Sequence, residues 1–105
     1  MERSPEGLDT IVTVVTRGVS DDANGVAVAT PGETWLRISR TGRVYHFHHS
    51  ADGERWTLAR LFTLGPIDGH RAGLSVQSPL GDGLSIRVDH VSLTADSLGD
   101  PRDGS

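Results

Sequence analysis

The chain has 105 residues, 35% hydrophobic and 23% charged, with a net charge of −4, enough for one small globular domain. Its ten basic residues are all arginine and form no basic stripe, which excludes the clustered phosphate contacts of a nucleic-acid binder and any lysine chemistry. There is no cysteine, so disulfides, zinc–thiolate sites and thiol nucleophiles are excluded, and no apolar run approaches the ~20 residues of a membrane-spanning helix.

Residues 1–7 are polar and acidic, which argues against a signal peptide and predicts a disordered start on a cytoplasmic protein. Thirteen glycines and five prolines cut the rest into short pieces. Between them Val, Ile and Leu tend to alternate with polar residues, the signature of strands rather than helices. Seven strands are predicted, at 8–20, 26–29, 33–41, 43–50, 55–64, 70–78 and 84–94. The first is apolar on both faces through Ile11, Val12, Val14 and Val15, as a central strand would be.

The stretch "RTGRV" (40–44) predicts a tight hairpin turn, and "SADGERW" (50–56) predicts a second. In the second, Asp52 is expected to accept backbone N–H groups, Gly53 to supply backbone freedom and Trp56 to cover the corner. "SPLGDGL" (78–84) predicts a longer third turn. In the last strand the apolar parity changes across Asp89-His90, which predicts a bulge. Residues 95–105 are rich in Asp, Gly and Ser and predict a disordered tail. Hairpins in this density imply an antiparallel, all-β meander forming one domain over 8–94.

The stretch "VYHFHHSADGERW" (44–56) holds three histidines in four positions. His46 and His48 share a strand face, the geometry in which two imidazoles can share a metal. A third ligand from Asp89 or His90 has no predicted placement. Strand alternation alone explains the pattern as a solvent-facing pair, so no metal or other cofactor is expected. No G-x-S-x-G and no phosphate-cradling glycine loop ahead of a helix is present.

Three segments, "VVTRGVSD" (14–21), "TWLRISRTGRVYHFHHSADGERWTLAR" (34–60) and "RAGLSVQSPLGDGLSIRVDHVSL" (71–93), together resemble the DUF1349 family. The match rests on W-L-R-x-x-R, then S-x-D-G-x-x-W, then G-L-x-x-Q-S-P, in that order. The chain departs where "VDHVSL" stands in place of two acidic residues and an aromatic. The resemblance implies an antiparallel concanavalin A-like jelly-roll sandwich of the lectin/glucanase type. Complete two-sheet jelly rolls run to about 200 residues. The matched part is similar to the C-terminal half or slightly more, so an incomplete sandwich of about seven strands is expected.

Laminarinase-like relatives of that fold carry Glu, Asp and Glu alternating on one strand. Here the four glutamates, Glu2, Glu6, Glu33 and Glu54, fall in no such pattern, so no catalytic residues are expected. The expected function is non-catalytic, with carbohydrate or another small ligand bound by Trp35, Arg37, Tyr45 and Gln77, an aromatic platform beside groups that read hydroxyls. The plainer reading packs Trp35 in a second layer and leaves Arg37 in solvent. The alternative function is an interaction module that forms a homo-oligomer through uncovered sheet faces. Neither nucleic acid nor membrane is an expected partner.

Overall fold

A computed structural model describes residues 1–66 and 68–105. The described residues form strands β1 (Glu2–Arg3), β2 (Asp9–Arg17), β3 (Val19–Ala27), β4 (Trp35–Thr41), β5 (Val44–Ser50) and β6 (Thr57–Phe62). They make two antiparallel three-stranded sheets, β1-β2-β3 and β4-β5-β6. This is the all-β architecture expected from the alternation, and it is consistent with a partial β-sandwich. The strands belong to a unit made of Met1–Pro66 and Ser97–Ser105, and Ile67–Asp96 form a second unit. No helix among the described residues is long and apolar enough to cross a membrane.

In β2 every second side chain turns inward. Asp9, Ile11, Thr13 and Val15 are buried, whereas Val14 is exposed. The strand thus covers one face only, not the two that its apolar content suggested. Asp9 is the inward carboxylate at its start. It accepts from Arg3 Nε at 2.9 Å and from the Gly32 N–H at 2.6 Å, so its burial is compensated. From β6, Arg60 reaches the first sheet, ion-pairing Asp21 at 3.0 Å and donating to Thr13 Oγ1 at 3.3 Å. Among the described residues only Ile11 and Val15 are fully buried apolar side chains, so the apolar core is small.

The predicted strands differ from the observed ones in three places. β3 begins at Val19, well before the expected 26–29: the expected strand 8–20 ran through Gly18, where the chain turns with a φ of 80°, and Asp21, Asp22 and Asn24 read as a loop. It is an exposed edge strand, where charge is tolerated and discourages further pairing. Residues 70–78 and 84–94 form no strand, so five of the seven expected strands are present among the described residues, and Glu2–Arg3 adds an unexpected sixth. Alternation states which face a segment would bury, but a ladder also requires a neighbour, and Leu74, Leu84 and Ile86 remain exposed. The parity change at Asp89-His90 falls where His90 adopts a left-handed φ of 54°, a break in the backbone rather than a bulge in a ladder. Finally, Glu2–Arg3 pair with β2, and residues 99–105 form a turn rather than a structureless tail.

β4 and β5 are joined by a two-residue turn at Gly42-Arg43, with Thr41 opposite Val44. Between β5 and β6 the chain closes a corner on Asp52. Its Oδ1 accepts the N–H groups of Glu54 and Arg55, each at 2.9 Å, and the Ser50 hydroxyl at 3.0 Å. Ser50 Oγ in turn accepts the N–H of Gly53 at 2.9 Å. The backbone donors, with Arg55 first, hold the Asp52 carboxyl at a pKa of about 2. Gly53 has a φ of 77°, and a Cβ there would lie 2.9 Å from the Trp35 ring. The indole backing the corner is therefore Trp35. Trp56, expected there, faces Arg37 and Gly104 instead.

Two outcomes follow from this packing. Ile11→Ala should cost about 2–5 kcal/mol by urea unfolding, while Val14→Ala should stay within about 0.5 kcal/mol of the parent. The Asp52 carboxyl is depressed in the fold, so its stabilisation is present above 3.8 and is lost as pH falls toward about 2. The gap in urea midpoint between the parent and Asp52→Ala should accordingly narrow across that range.

Candidate functional site

The β4–β5 register decides which side chains meet. Trp35 pairs with Ser50, Arg37 with His48 and Ser39 with His46. Because paired residues point the same way and neighbours along a strand alternate, these six share one face. Leu36, Ile38 and Arg40 lie on the other face with His49, Phe47 and Tyr45. There Tyr45 stacks on Phe62 with centroids 5.5 Å apart, and Phe47 meets Phe62 at 4.7 Å.

Of the expected ligand set, Trp35 and Arg37 thus lie on one face and Tyr45 on the opposite one. Gln77 lies exposed in the Ile67–Asp96 unit, in a segment that forms no strand. The turn fixes the parity, and that parity was the signal available for separating Tyr45 from Arg37.

The polar face is buried. His46 and His48 are each 2% exposed, which corrects the reading of them as a solvent-facing pair. Residues 99–105 lie against this face and account for part of that burial. His48 Nε2 meets the Pro101 carbonyl at 2.7 Å, and Arg37 Nη2 donates to the Gly104 carbonyl at 2.6 Å. His46 Nδ1 is 3.3 Å from the Ser39 hydroxyl. The Arg37 guanidinium sits 4.2 Å from the centroid of the Trp56 ring, a cation–π contact. Sequence alternation alone does not disclose Ser39, His46, His48, Pro101 or Gly104 as one cluster.

The protonation state of this face follows from its partners. A carbonyl only accepts, so His48 Nε2 carries the proton that it shares with Pro101. Burial is the first cause that pushes the His48 pKa down, and the nearby Arg37 charge adds to it. His48 is therefore a neutral Nε2–H imidazole with a lone pair on Nδ1. Burial also lowers the Arg37 pKa, yet a guanidinium stays charged. No carboxylate among the described residues forms an ion pair with Arg37. Two buried atoms have no hydrogen-bond partner, Arg37 Nε, a donor, and His48 Nδ1, an acceptor.

Among the described residues no three His, Cys, Asp or Glu side chains group to hold a metal ion. Two shallow clefts flank the other side of the molecule, about 160 and 220 Å³, both bordered by His49 and Thr57. Each is below the ~300 Å³ at which small-molecule sites begin. The Arg37–His48 face, with a bare donor and a bare acceptor on paired residues, is the stronger candidate.

The family model described as "Protein of unknown function (DUF1349)" matches residues 1–96. Regulation of enolase protein 1 from Saccharomyces cerevisiae (strain ATCC 204508 / S288c) is 29% identical over 90 residues, covering 86% of this chain and 46% of that relative. The chain thus spans less than half the length of the curated relative it matches. No solved structure matches the chain significantly. With one family model covering all but its last residues, the chain belongs to the DUF1349 family.

Proposed function

We propose that this chain is a non-catalytic binding domain, and that the Arg37–His48 face takes a small hydroxyl-bearing ligand, a carbohydrate foremost. One observation carries this reading. Arg37 Nε–H and His48 Nδ1 belong to paired residues on one face, and both are buried without a partner. Hydroxyl groups can both accept from the first and donate to the second, whereas a carboxylate only accepts and an ammonium group only donates. Ser39 and His46, on the same face, add further groups able to hydrogen-bond hydroxyls.

A non-catalytic role is favoured by the carboxylates. Glu2, Glu6, Glu33 and Glu54 are all exposed, and none sits on this face to supply an acid and a nucleophile. A relative named for regulation fits a domain that acts by binding, whatever its target.

Saturable binding of monosaccharides or short glucans, followed by tryptophan fluorescence, is expected for the parent. It should be lost in Arg37→Gln and in His48→Leu and kept in Tyr45→Phe, on the opposite face. No reducing ends should be released. Equal binding by all three variants would remove the site from this face, and turnover of a glucan would end the non-catalytic reading.

A second reading is favoured by the opposite face, where Leu36 is 54% and Ile38 51% exposed beside Phe47. A second copy of the chain covering that face would bury them. Light scattering over a concentration series should then show a dimer that Ile38→Asp dissolves. A monomer at every concentration would dismiss it.

A further inference from the structure

We propose that residues 99–105 are a built-in, displaceable occupant of the Arg37–His48 face, so that the site is closed in the free chain and opens when a ligand competes. This rests on the ligand reading above, and deepens it by naming what regulates the site.

The segment is a self-contained loop. Its ends meet through Gly99 N–H to Ser105 O at 2.8 Å, and Gly104 N–H reaches Asp100 O at 2.9 Å. Asp100 Oδ1 orders the Arg102 N–H at 2.8 Å and Asp103 Oδ1 the Ser105 N–H at 2.9 Å. Its shape is thus held in part by its own side chains and backbone. On the sheet it offers two carbonyl oxygens, Pro101 O to His48 and Gly104 O to Arg37. They belong to the same two side chains whose other nitrogens, Arg37 Nε and His48 Nδ1, the proposed ligand would engage.

The fit is close but incomplete. Gly104 is buried, with a φ of 78°, and a Cβ there would lie 2.5 Å from Arg37 Nη2 and 2.6 Å from Trp56 Cβ. Any side chain at this position pushes the loop off. Yet the docked loop leaves Arg37 Nε and His48 Nδ1 buried and unsatisfied. A carbonyl accepts only, so it cannot serve the His48 lone pair. A ligand that brings hydroxyl groups to these two atoms would gain the hydrogen bonds that the docked loop leaves unmade. The family match ends at residue 96, so the loop lies outside the part of the chain that the family model describes.

The test uses the 105-residue chain and its Gly104→Val variant. Arg102 is exposed within the loop, so release of residues 103–105 by trypsin, read by mass spectrometry, reports undocking. Cleavage after Arg102 should be about tenfold faster in Gly104→Val, as it tracks the open population. The synthetic peptide of residues 99–105, added in trans, should shift tryptophan fluorescence in Gly104→Val and not in the parent. Saccharide affinity should rise by the same factor as cleavage, since a closed fraction lowers apparent affinity in proportion. Asp100→Ala, which loosens the loop without touching a strand, should move the same readouts in the same direction. Equal Arg102 cleavage in parent and both variants overturns the closure, as does faster cleavage with unchanged saccharide affinity. Faster cleavage and peptide binding with no saccharide bound by any form upholds the closure and sinks the carbohydrate reading instead.

Discussion

The two-residue turn at Gly42-Arg43 sets which residues of β5 face each residue of β4. Once Thr41 is opposite Val44, Arg37 must meet His48, Ser39 must meet His46, and Tyr45 must turn away from all four. A one-residue slip would exchange the two faces. The consequence is an unusual division of labour. The polar face is the buried one, while Leu36 and Ile38 on the other face remain in contact with solvent. In an ordinary half-buried sheet the hydrophobic effect would place these the other way round.

Burying Arg37 and His48 does little for stability on its own. The two hydrogen bonds to residues 101 and 104 contribute about 0.5–1.5 kcal/mol each, and the stacking of Arg37 on Trp56 about 0.5–2. Against them stand two buried atoms without partners, Arg37 Nε and His48 Nδ1, each costing about 1–3 kcal/mol. The sum lies within a few kcal/mol of zero. The Asp52 corner shows the contrast. There every polar atom described is satisfied, the carboxyl is held at a pKa of about 2, and the arrangement is explained by turn closure alone.

The sequence disclosed the second sheet well because local signals agreed. "RTGRV" and "SADGERW" contain their own turn chemistry, and alternation between them bounded β4, β5 and β6 within two residues. It disclosed the first sheet less well, since Asp21, Asp22 and Asn24 disfavour a strand anywhere except at an edge. It misjudged 70–94, where alternation is clear but pairing is a non-local property. The candidate site was half legible. Arg37 was visible beside Trp35, but its partner His48 is buried in part by a loop more than 50 positions later in the chain. The exchange of roles between Trp35 and Trp56 was invisible for the same reason, as both are aromatic residues at strand ends and only packing tells them apart.

All of this depends on His48 being a neutral, buried imidazole with its proton on Nε2 and a free lone pair on Nδ1. Long-range ¹H–¹⁵N NMR of the ring nitrogens at pH 6.5, the ordinary midpoint of histidine, reads that state directly. His48 should then show one protonated-type nitrogen at Nε2 and one bare, pyridine-like nitrogen at Nδ1, with the neutral ring outweighing the charged one. A fully charged ring, or a proton held on Nδ1, would contradict it, because the face would then offer no acceptor for a ligand hydroxyl.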